Sequence, residues 1–215
     1  MKRVVALLTM LAALAVLAPL HRIEASPGVP VIVAFGDSLT AGLGLKQDQA
    51  FPAQLEAALK ARGTEAKVVD AGVSGDTAAA ALQRLDWALP DDADAVIIEL
   101  GGNDALQGIP PEGTKAAIGK VIEKVQARGL PILLAGQEAP PNMGKDYAER
   151  FRALYADLAA RYDLIFYPFF LEGAALNDGL MQADGIHPNS KGVKVIVDNI
   201  MPKVDELLAK IRTTE

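Results

Sequence analysis

The 215-residue chain lacks cysteine altogether and contains only two histidines, His21 and His187. Without cysteine it can form no disulfide bond and can carry no lipid-modified cysteine anchor. A zinc site of the usual kind needs several His or Cys ligands, so the sequence predicts no metal. The glycine-rich signatures that bind phosphates or dinucleotides are also missing, so it predicts no cofactor.

Runs of positive charge and clusters of aromatic residues are likewise absent. The formal net charge is −6 and aromatic residues make up only 5 % of the chain. An acidic chain without a basic run argues against nucleic acid and anionic membrane surfaces as partners. The low aromatic content gives no platform for carbohydrates. The sequence leaves the oligomeric state open.

The one long apolar run lies at the N-terminus. Lys2 and Arg3 precede apolar residues 4–20, and Ala25 with other small residues follows. This order is typical of a secretory signal peptide, which we predict over residues 1–25. The protein would then be exported, periplasmic or secreted, with no stable membrane partner after cleavage. An uncleaved N-terminal anchor is the alternative.

Behind this leader, short apolar runs alternate with helical patterns. The predicted strands cover residues 29–35, 66–71, 94–100, 130–135 and 164–167. The predicted helices cover residues 50–62, 77–88, 112–128, 146–161 and 190–211. Strands this rich in Val, Ile and Leu are buried on both faces. The pattern predicts an α/β fold, a three-layer α/β/α sandwich around a five-stranded parallel sheet, in a single domain over residues 26–215.

A candidate nucleophile and a candidate base stand near opposite ends of this domain. Ser38 follows the first strand, at the edge where parallel sheets bind ligands. His187 is the only histidine outside the leader, and Asp184 precedes it by three residues. The imidazole could take the serine proton while the carboxylate orients the ring. Taken singly, however, Ser38 also fits a helix cap, and Asp184-Gly185 an ordinary turn.

Four segments together resemble the sequence blocks of the SGNH, or GDSL, hydrolase superfamily. They are most similar to its small periplasmic branch of multifunctional thioesterases, lysophospholipases and arylesterases. The segments are Gly36-Asp37-Ser38-Leu39-Thr40, Ser74-Gly75-Asp76-Thr77, Gly101-Gly102-Asn103-Asp104 and Asp184-Gly185-Ile186-His187-Pro188-Asn189. Their order and spacing match over essentially the whole chain after the leader, which implies the flavodoxin-like SGNH hydrolase fold.

The resemblance also implies a role for each matched residue. Ser38 would be the nucleophile, His187 the base and Asp184 its orienting partner. The oxyanion hole would comprise the backbone N–H groups of Ser38 and Gly75 and the side-chain amide of Asn103. A glycine at position 75 lets the backbone approach a substrate closely, and we expect the Asn103 side chain to face the crevice.

Other polar residues in these segments are interpreted as structural. Asp76 or Thr77, and likewise Ser190, are predicted to cap the helices that follow them. Asp37 or Asp104 is predicted to brace its loop through backbone N–H groups.

Apolar residues in two loops are candidates for binding the substrate. Leu106 and Ile109 follow Asn103, and Met143 lies after the fourth strand. We predict that these three contact an acyl or aryl group, with Phe170 as a further candidate.

The predicted function is therefore a serine esterase that forms an acyl-enzyme intermediate. Its substrates would be small-molecule carboxylic acyl esters, with thioesters as a further class: aryl esters, acyl-CoA-like thioesters and lysophospholipids. The alternative is a catalytically inactive flavodoxin-like domain that binds lipids or takes part in signalling. Labelling of Ser38 by a serine-reactive phosphonate would distinguish the two.

Overall fold

A computed structural model describes residues 28–212, and the predicted signal peptide over residues 1–25 lies outside this range. The strands are β1 (Val31–Gly36), β2 (Lys67–Gly72), β3 (Ala95–Glu99), β4 (Ile132–Ala135) and β5 (Ile165–Tyr167). The helices are α1 (Ser38–Ala41), α2 (Phe51–Ala61), α3 (Ala78–Ala88), α4 (Gly102–Leu106), α5 (Pro111–Gln126), α6 (Lys145–Tyr162) and α7 (Ser190–Arg212). The predicted strands and long helices differ from these bounds by at most two residues at either end.

The five strands form one parallel sheet in the order β2-β1-β3-β4-β5. Parallel neighbours need crossover connections, and the helices between the strands supply them. The predicted α/β class and the five-stranded parallel sheet are confirmed. Because all the strands run the same way, the loops after β1, β2 and β3 meet at one edge.

Helices cover both faces of the sheet because alternate strand residues point in opposite directions. Ile32 and Ala34 of β1 join the apolar cluster formed with α2 and α7. Val33 and Phe35 join the cluster formed with α3, α5 and α6. All six residues of β1 are buried, as expected for a central strand covered on both sides. Within residues 28–212, no helix is long and apolar enough to cross a membrane.

Two short helices were not predicted, and both carry candidate site residues. Helix α1 begins at Ser38, and α4 contains Asn103. They have four and five residues respectively, too few to produce a periodic apolar pattern. These single turns nevertheless fix the backbone at the ends of β1 and β3.

The helix caps agree with the predictions at one position and differ at another. Thr77 caps α3, since its side chain accepts a hydrogen bond from the N–H of Ala80 at 3.2 Å. The prediction that Ser190 caps α7 is wrong. Asn189 does so, accepting from the N–H groups of Lys191 and Gly192 at 2.9 and 3.1 Å. Ser190 is already the first residue of the helix.

Candidate active site

Ser38, His187 and Asp184 form a continuous hydrogen-bonded line at the carboxyl edge of the sheet. The Ser38 Oγ lies 2.9 Å from Nε2 of His187. The other ring nitrogen, Nδ1, lies 2.6 Å from Oδ2 of Asp184. One loop before α7 delivers both His187 and Asp184, as their spacing predicts. Residues 149 positions apart in the chain are thus in direct contact.

The Asp184 carboxylate determines which imidazole nitrogen carries the proton. Its Oδ1 accepts from the backbone N–H groups of His187 at 3.0 Å and Ile186 at 2.9 Å. The hydrogen bond from the His187 backbone is the main cause that lowers the pKa of Asp184 to about 2. An ionised carboxylate only accepts hydrogen bonds. Nδ1 of His187 must therefore donate, which leaves the Nε2 lone pair facing the Ser38 hydroxyl.

The turn between β1 and α1 places Ser38 at the start of a helix. Asp37 caps this helix, accepting from the N–H of Leu39 at 3.0 Å. As the first residue of α1, Ser38 has no partner for its own N–H within the helix. Gly36 makes this tight turn possible, because a Cβ there would collide with the side chains of Thr40 and Glu99.

Gly75 lies at the rim of the same cavity in a conformation that favours glycine. Its φ is +90°, and a Cβ at this position would meet no atom within 4 Å. Open space therefore adjoins the Gly75 backbone, and Gly75 lines the same cavity as Ser38. The predicted access of a substrate to this backbone is consistent with that geometry.

Asn103 faces the cavity, but its amide nitrogen is also bound within the protein. Nδ2 donates to Oδ2 of Asp37 at 3.1 Å and to the carbonyl oxygen of Asp76 at 2.9 Å. The side chain thereby connects the loops that follow β1, β2 and β3. To donate to a substrate oxygen, one of its two N–H groups must release or share its acceptor.

A buried carboxyl for which no role was predicted lies beneath the Ser38 turn. Glu99 is fully buried at the end of β3 and accepts hydrogen bonds from Thr40 at 2.8 Å and from Gln137 at 2.6 Å. Burial, with a further contribution from the charge of Asp37, raises the pKa of Glu99 well above its usual range. Burial likewise raises the pKa of Asp37 to about 6. The sequence did contain one indication of this buried carboxyl, because Glu99 directly follows the wholly apolar residues 95–98 of a predicted strand.

Arg84 is a second residue at the site for which no role was predicted. Its guanidinium donates to Asp76 at 2.5 Å and to the carbonyl oxygens of Ala71 and Gly36 at 2.9 and 2.8 Å. It also lies over the ring of Phe35, 4.4 Å from the centroid. Asp76 therefore does not cap α3 but anchors the Gly75 loop to the ends of β1 and β2.

Asp104 braces a neighbouring element rather than its own loop. It is 1 % exposed and accepts from the N–H of Ala78 at 2.8 Å and from the Thr114 hydroxyl at 3.0 Å. It thus joins α4 to the starts of α3 and α5. Asp37 does brace its own turn, as predicted.

Ser38 and His187 open into a mainly apolar cavity of about 540 Å³. Of the predicted substrate contacts, Leu106 lines this cavity, whereas Ile109 and Met143 do not. Met143 lies instead near Gly108. Phe170 is fully buried in the core and packs against Phe51.

Several apolar residues that line the cavity were not predicted. Among them are Leu43, Pro140, Leu171, Leu176, Met181 and Ile186. Most of them come from segments that have no regular structure, so periodicity could not identify them. Among the described residues, no group of three or more His, Asp or Glu side chains is placed to hold a metal ion.

Comparison with known proteins places this geometry in a family. The model of the GDSL-like lipase/acylhydrolase family matches residues 34–195. The chain is 40 % identical over 178 residues to the Pseudomonas aeruginosa protein named "Esterase TesA", covering 82 % of this chain and 89 % of that protein. It is 35 % identical over 178 residues to the Escherichia coli K12 protein named "Thioesterase 1/protease 1/lysophospholipase L1", covering 82 % and 84 %. The crystal structure of AlinE4, an SGNH-hydrolase family esterase, superposes with a TM-score of 0.71 at 43 % identity, covering 86 % of this chain and 99 % of that one.

Proposed function

Because this chain belongs to the GDSL-like lipase/acylhydrolase family, it is an ester-hydrolysing enzyme, and we propose that it acts through an acyl-enzyme intermediate on Ser38. The observation that carries the proposal is the line of contacts from Ser38 through His187 to Asp184, at 2.9 and 2.6 Å. A serine hydroxyl becomes a nucleophile when a base lies within hydrogen-bond reach. The inactive, purely binding alternative offers no reason for these contacts.

In the first half of the reaction, the Ser38 Oγ attacks the carbonyl carbon of the ester. Its proton passes to Nε2 of His187, and the carbonyl π electrons move to the oxygen. The oxyanion is stabilised by the N–H groups of Ser38 and Gly75 and by the amide of Asn103. Preorganised donors of this kind are each worth about 3–4 kcal/mol in acyl transfer. Asp184 stabilises the imidazolium that forms.

Collapse of the tetrahedral adduct restores the carbonyl and breaks the bond to the leaving group. The leaving oxygen or sulfur takes the proton from Nε2 of His187. Water then repeats the sequence against the acyl-enzyme, with His187 again as base, and releases the carboxylic acid. Every proton in this cycle passes through one imidazole.

We further propose acyl and aryl esters, acyl thioesters and lysophospholipids as the substrate class. The mainly apolar lining of the cavity supports this class. The names of the relatives, which include esterase, thioesterase and lysophospholipase, agree with it. Export across a membrane is proposed from the leader pattern in residues 1–25 alone.

A fluorescent serine-reactive phosphonate tests the nucleophile directly. We expect it to label the wild-type enzyme and the Ser74→Ala variant, because Ser74 is an exposed residue of the neighbouring loop. Ser38→Ala should be folded, unlabelled and nearly without turnover, with only the residual rate that binding and the oxyanion hole provide. Labelling or full activity of Ser38→Ala, or strong inhibition of the wild type by EDTA, would refute the proposal.

A further inference from the structure

We propose that the side of the cavity next to His187 binds the leaving group of the ester, through Leu43, Met181 and Ile186. We call these three residues the histidine-side wall. The assignment rests on the proposed function, since it takes Ser38 as nucleophile and His187 as proton donor. It adds a specificity: the enzyme favours leaving groups that present an apolar aryl or alkyl portion next to the ester bond.

The histidine-side wall and His187 form one connected unit. Ile186 directly precedes His187 in the chain. The backbone N–H of Gln182 donates to the carbonyl oxygen of His187 at 2.7 Å, and Met181 precedes Gln182. The Gln182 side chain donates to the carbonyl oxygen of Leu43 at 2.7 Å. The three apolar side chains therefore line the cavity beside the imidazole, and all three border its open space.

Proton transfer requires the leaving group to be on this side. When the tetrahedral adduct collapses, the bond from the carbonyl carbon to the leaving oxygen or sulfur breaks. That atom keeps the bonding electron pair and takes the proton from Nε2 of His187, so the two must be within hydrogen-bond reach. The rest of the leaving group extends from that atom, next to the residues that surround His187.

The other two substituents of the reacting carbon are directed elsewhere. The oxyanion points to the N–H groups of Ser38 and Gly75 and to Asn103. The acyl chain takes the remaining direction, and we assign to it Leu106 and Pro140, which line the cavity from the segments after β3 and β4. The cavity thus has separate apolar surfaces for the two halves of the ester.

The exposure of the histidine-side wall indicates what it can bind. Leu43 is 47 % and Ile186 42 % exposed, while Met181 is 8 % exposed and therefore largely buried. An aryl or alkyl group laid against them removes apolar surface from water, which stabilises the complex. None of the three side chains carries a charge that could pair with a charged leaving group.

Leucine-to-serine and isoleucine-to-serine variants test the assignment. Leu43→Ser and Ile186→Ser remove apolar surface from two separate segments of the wall. Leu106→Ser is the matched control, because Leu106 is 49 % exposed and lines the same cavity from α4, outside the histidine-side wall. For each enzyme, kcat/KM is measured with 1-naphthyl acetate and methyl acetate, and with 4-nitrophenyl acetate and hexanoate.

We expect Leu43→Ser and Ile186→Ser each to lower the naphthyl-to-methyl ratio of kcat/KM by about tenfold relative to wild type. Intrinsic leaving-group reactivity cancels in this comparison. The hexanoate-to-acetate ratio should change in Leu106→Ser and stay close to wild type in the other two. A displaced His187 in Ile186→Ser would lower all rates together. Leu43→Ser avoids this effect, because the hydrogen bond that joins Leu43 to the His187 loop uses the Leu43 backbone carbonyl, which the substitution keeps.

The reverse reaction provides an independent measurement. An alcohol that attacks the acyl-enzyme must enter by the path the leaving group took, so benzyl alcohol should compete with water better than methanol does. Leu43→Ser should lose this preference. An unchanged naphthyl-to-methyl ratio in both wall variants, or a change in that ratio only in Leu106→Ser, would overturn the assignment while leaving ester hydrolysis intact. An active, unlabelled Ser38→Ala enzyme would instead overturn the proposed function.

Discussion

Replacing Asn103 with alanine should lower both catalysis and stability, and the contacts of this side chain set the size of each loss. The side chain lines the cavity, yet its amide nitrogen holds Asp37 at 3.1 Å and the carbonyl oxygen of Asp76 at 2.9 Å. If Asn103 also donates to the developing oxyanion, the variant loses interactions in two states of the enzyme. The transition state loses one donor, and the folded state loses two hydrogen bonds.

The size of each loss follows from the contacts. Loss of one oxyanion donor lowers kcat by about 10²–10³, while KM changes little. A hydrogen bond to a carboxylate contributes about 1.5–3 kcal/mol and a neutral one about 1 kcal/mol. The free energy of unfolding of the variant should therefore be lower by about 2.5–4 kcal/mol. For a domain of about 150–250 residues, this lowers Tm by about 5–16 °C.

For the Asn103→Ala variant, kcat and KM are measured at a temperature well below its Tm. Its thermal unfolding is measured separately. Asp104→Asn is the comparison, because Asp104 braces α3 and α5 through Ala78 and Thr114 and does not face the cavity. It should lose stability with a much smaller loss of kcat. A folded Asn103→Ala enzyme with near-normal kcat would refute the oxyanion role and leave only the Ser38 and Gly75 N–H groups.

Two further predictions concern the buried charges beneath the site. Arg84→Met removes one partner of a buried ion pair with Asp76 and should lower the free energy of unfolding by about 3–5 kcal/mol. Lys124→Met, which breaks an exposed ion pair, should lower it by less than about 1 kcal/mol. Equal losses of stability in urea unfolding would contradict this expectation. The pKa of Glu99 is raised in the folded protein above its ordinary value of 4.5, so the folded state binds more protons at this carboxyl. The contribution of Glu99 to wild-type stability is therefore lost as the pH rises above about 5. Glu99→Gln cannot titrate and should lack this slope, so its stability relative to wild type should increase between about pH 5 and pH 8. Parallel stability curves over that range would show that Glu99 does not titrate there.

The sequence was informative wherever a local pattern repeats or a chemically distinctive residue follows a strand. The apolar runs gave the five strands within two residues because strands buried on both faces must be apolar throughout. The blocks around Ser38 and His187 predicted two residues that the fold brings to 2.9 Å. The catalytic roles of these residues were inferred from the order of all the matched segments, because a single Ser or His does not indicate a catalytic site.

Predictions that depended on neighbours in space were less successful. Ile109 and Met143 are apolar residues in the right loops, but they lie outside the cavity, while Leu43 and Ile186 line it. Asn189 rather than Ser190 caps α7. Both side chains can accept hydrogen bonds from backbone N–H groups, but Asn189 is the residue that stands just before the first turn of the helix. A loop sequence does not specify which way its side chains turn.

The sequence by itself therefore determined the parallel sheet, the order of its elements and the chemical groups at its carboxyl edge. Periodic burial and the residue types suited to acyl transfer are local properties, which can be read without coordinates. Only the tertiary structure decided that Glu99 and Arg84 support the site and which apolar residues line the cavity. The pKa of a buried carboxyl and the lining of a cavity depend on contacts between segments far apart in the chain, and these contacts exist only once the sheet has assembled.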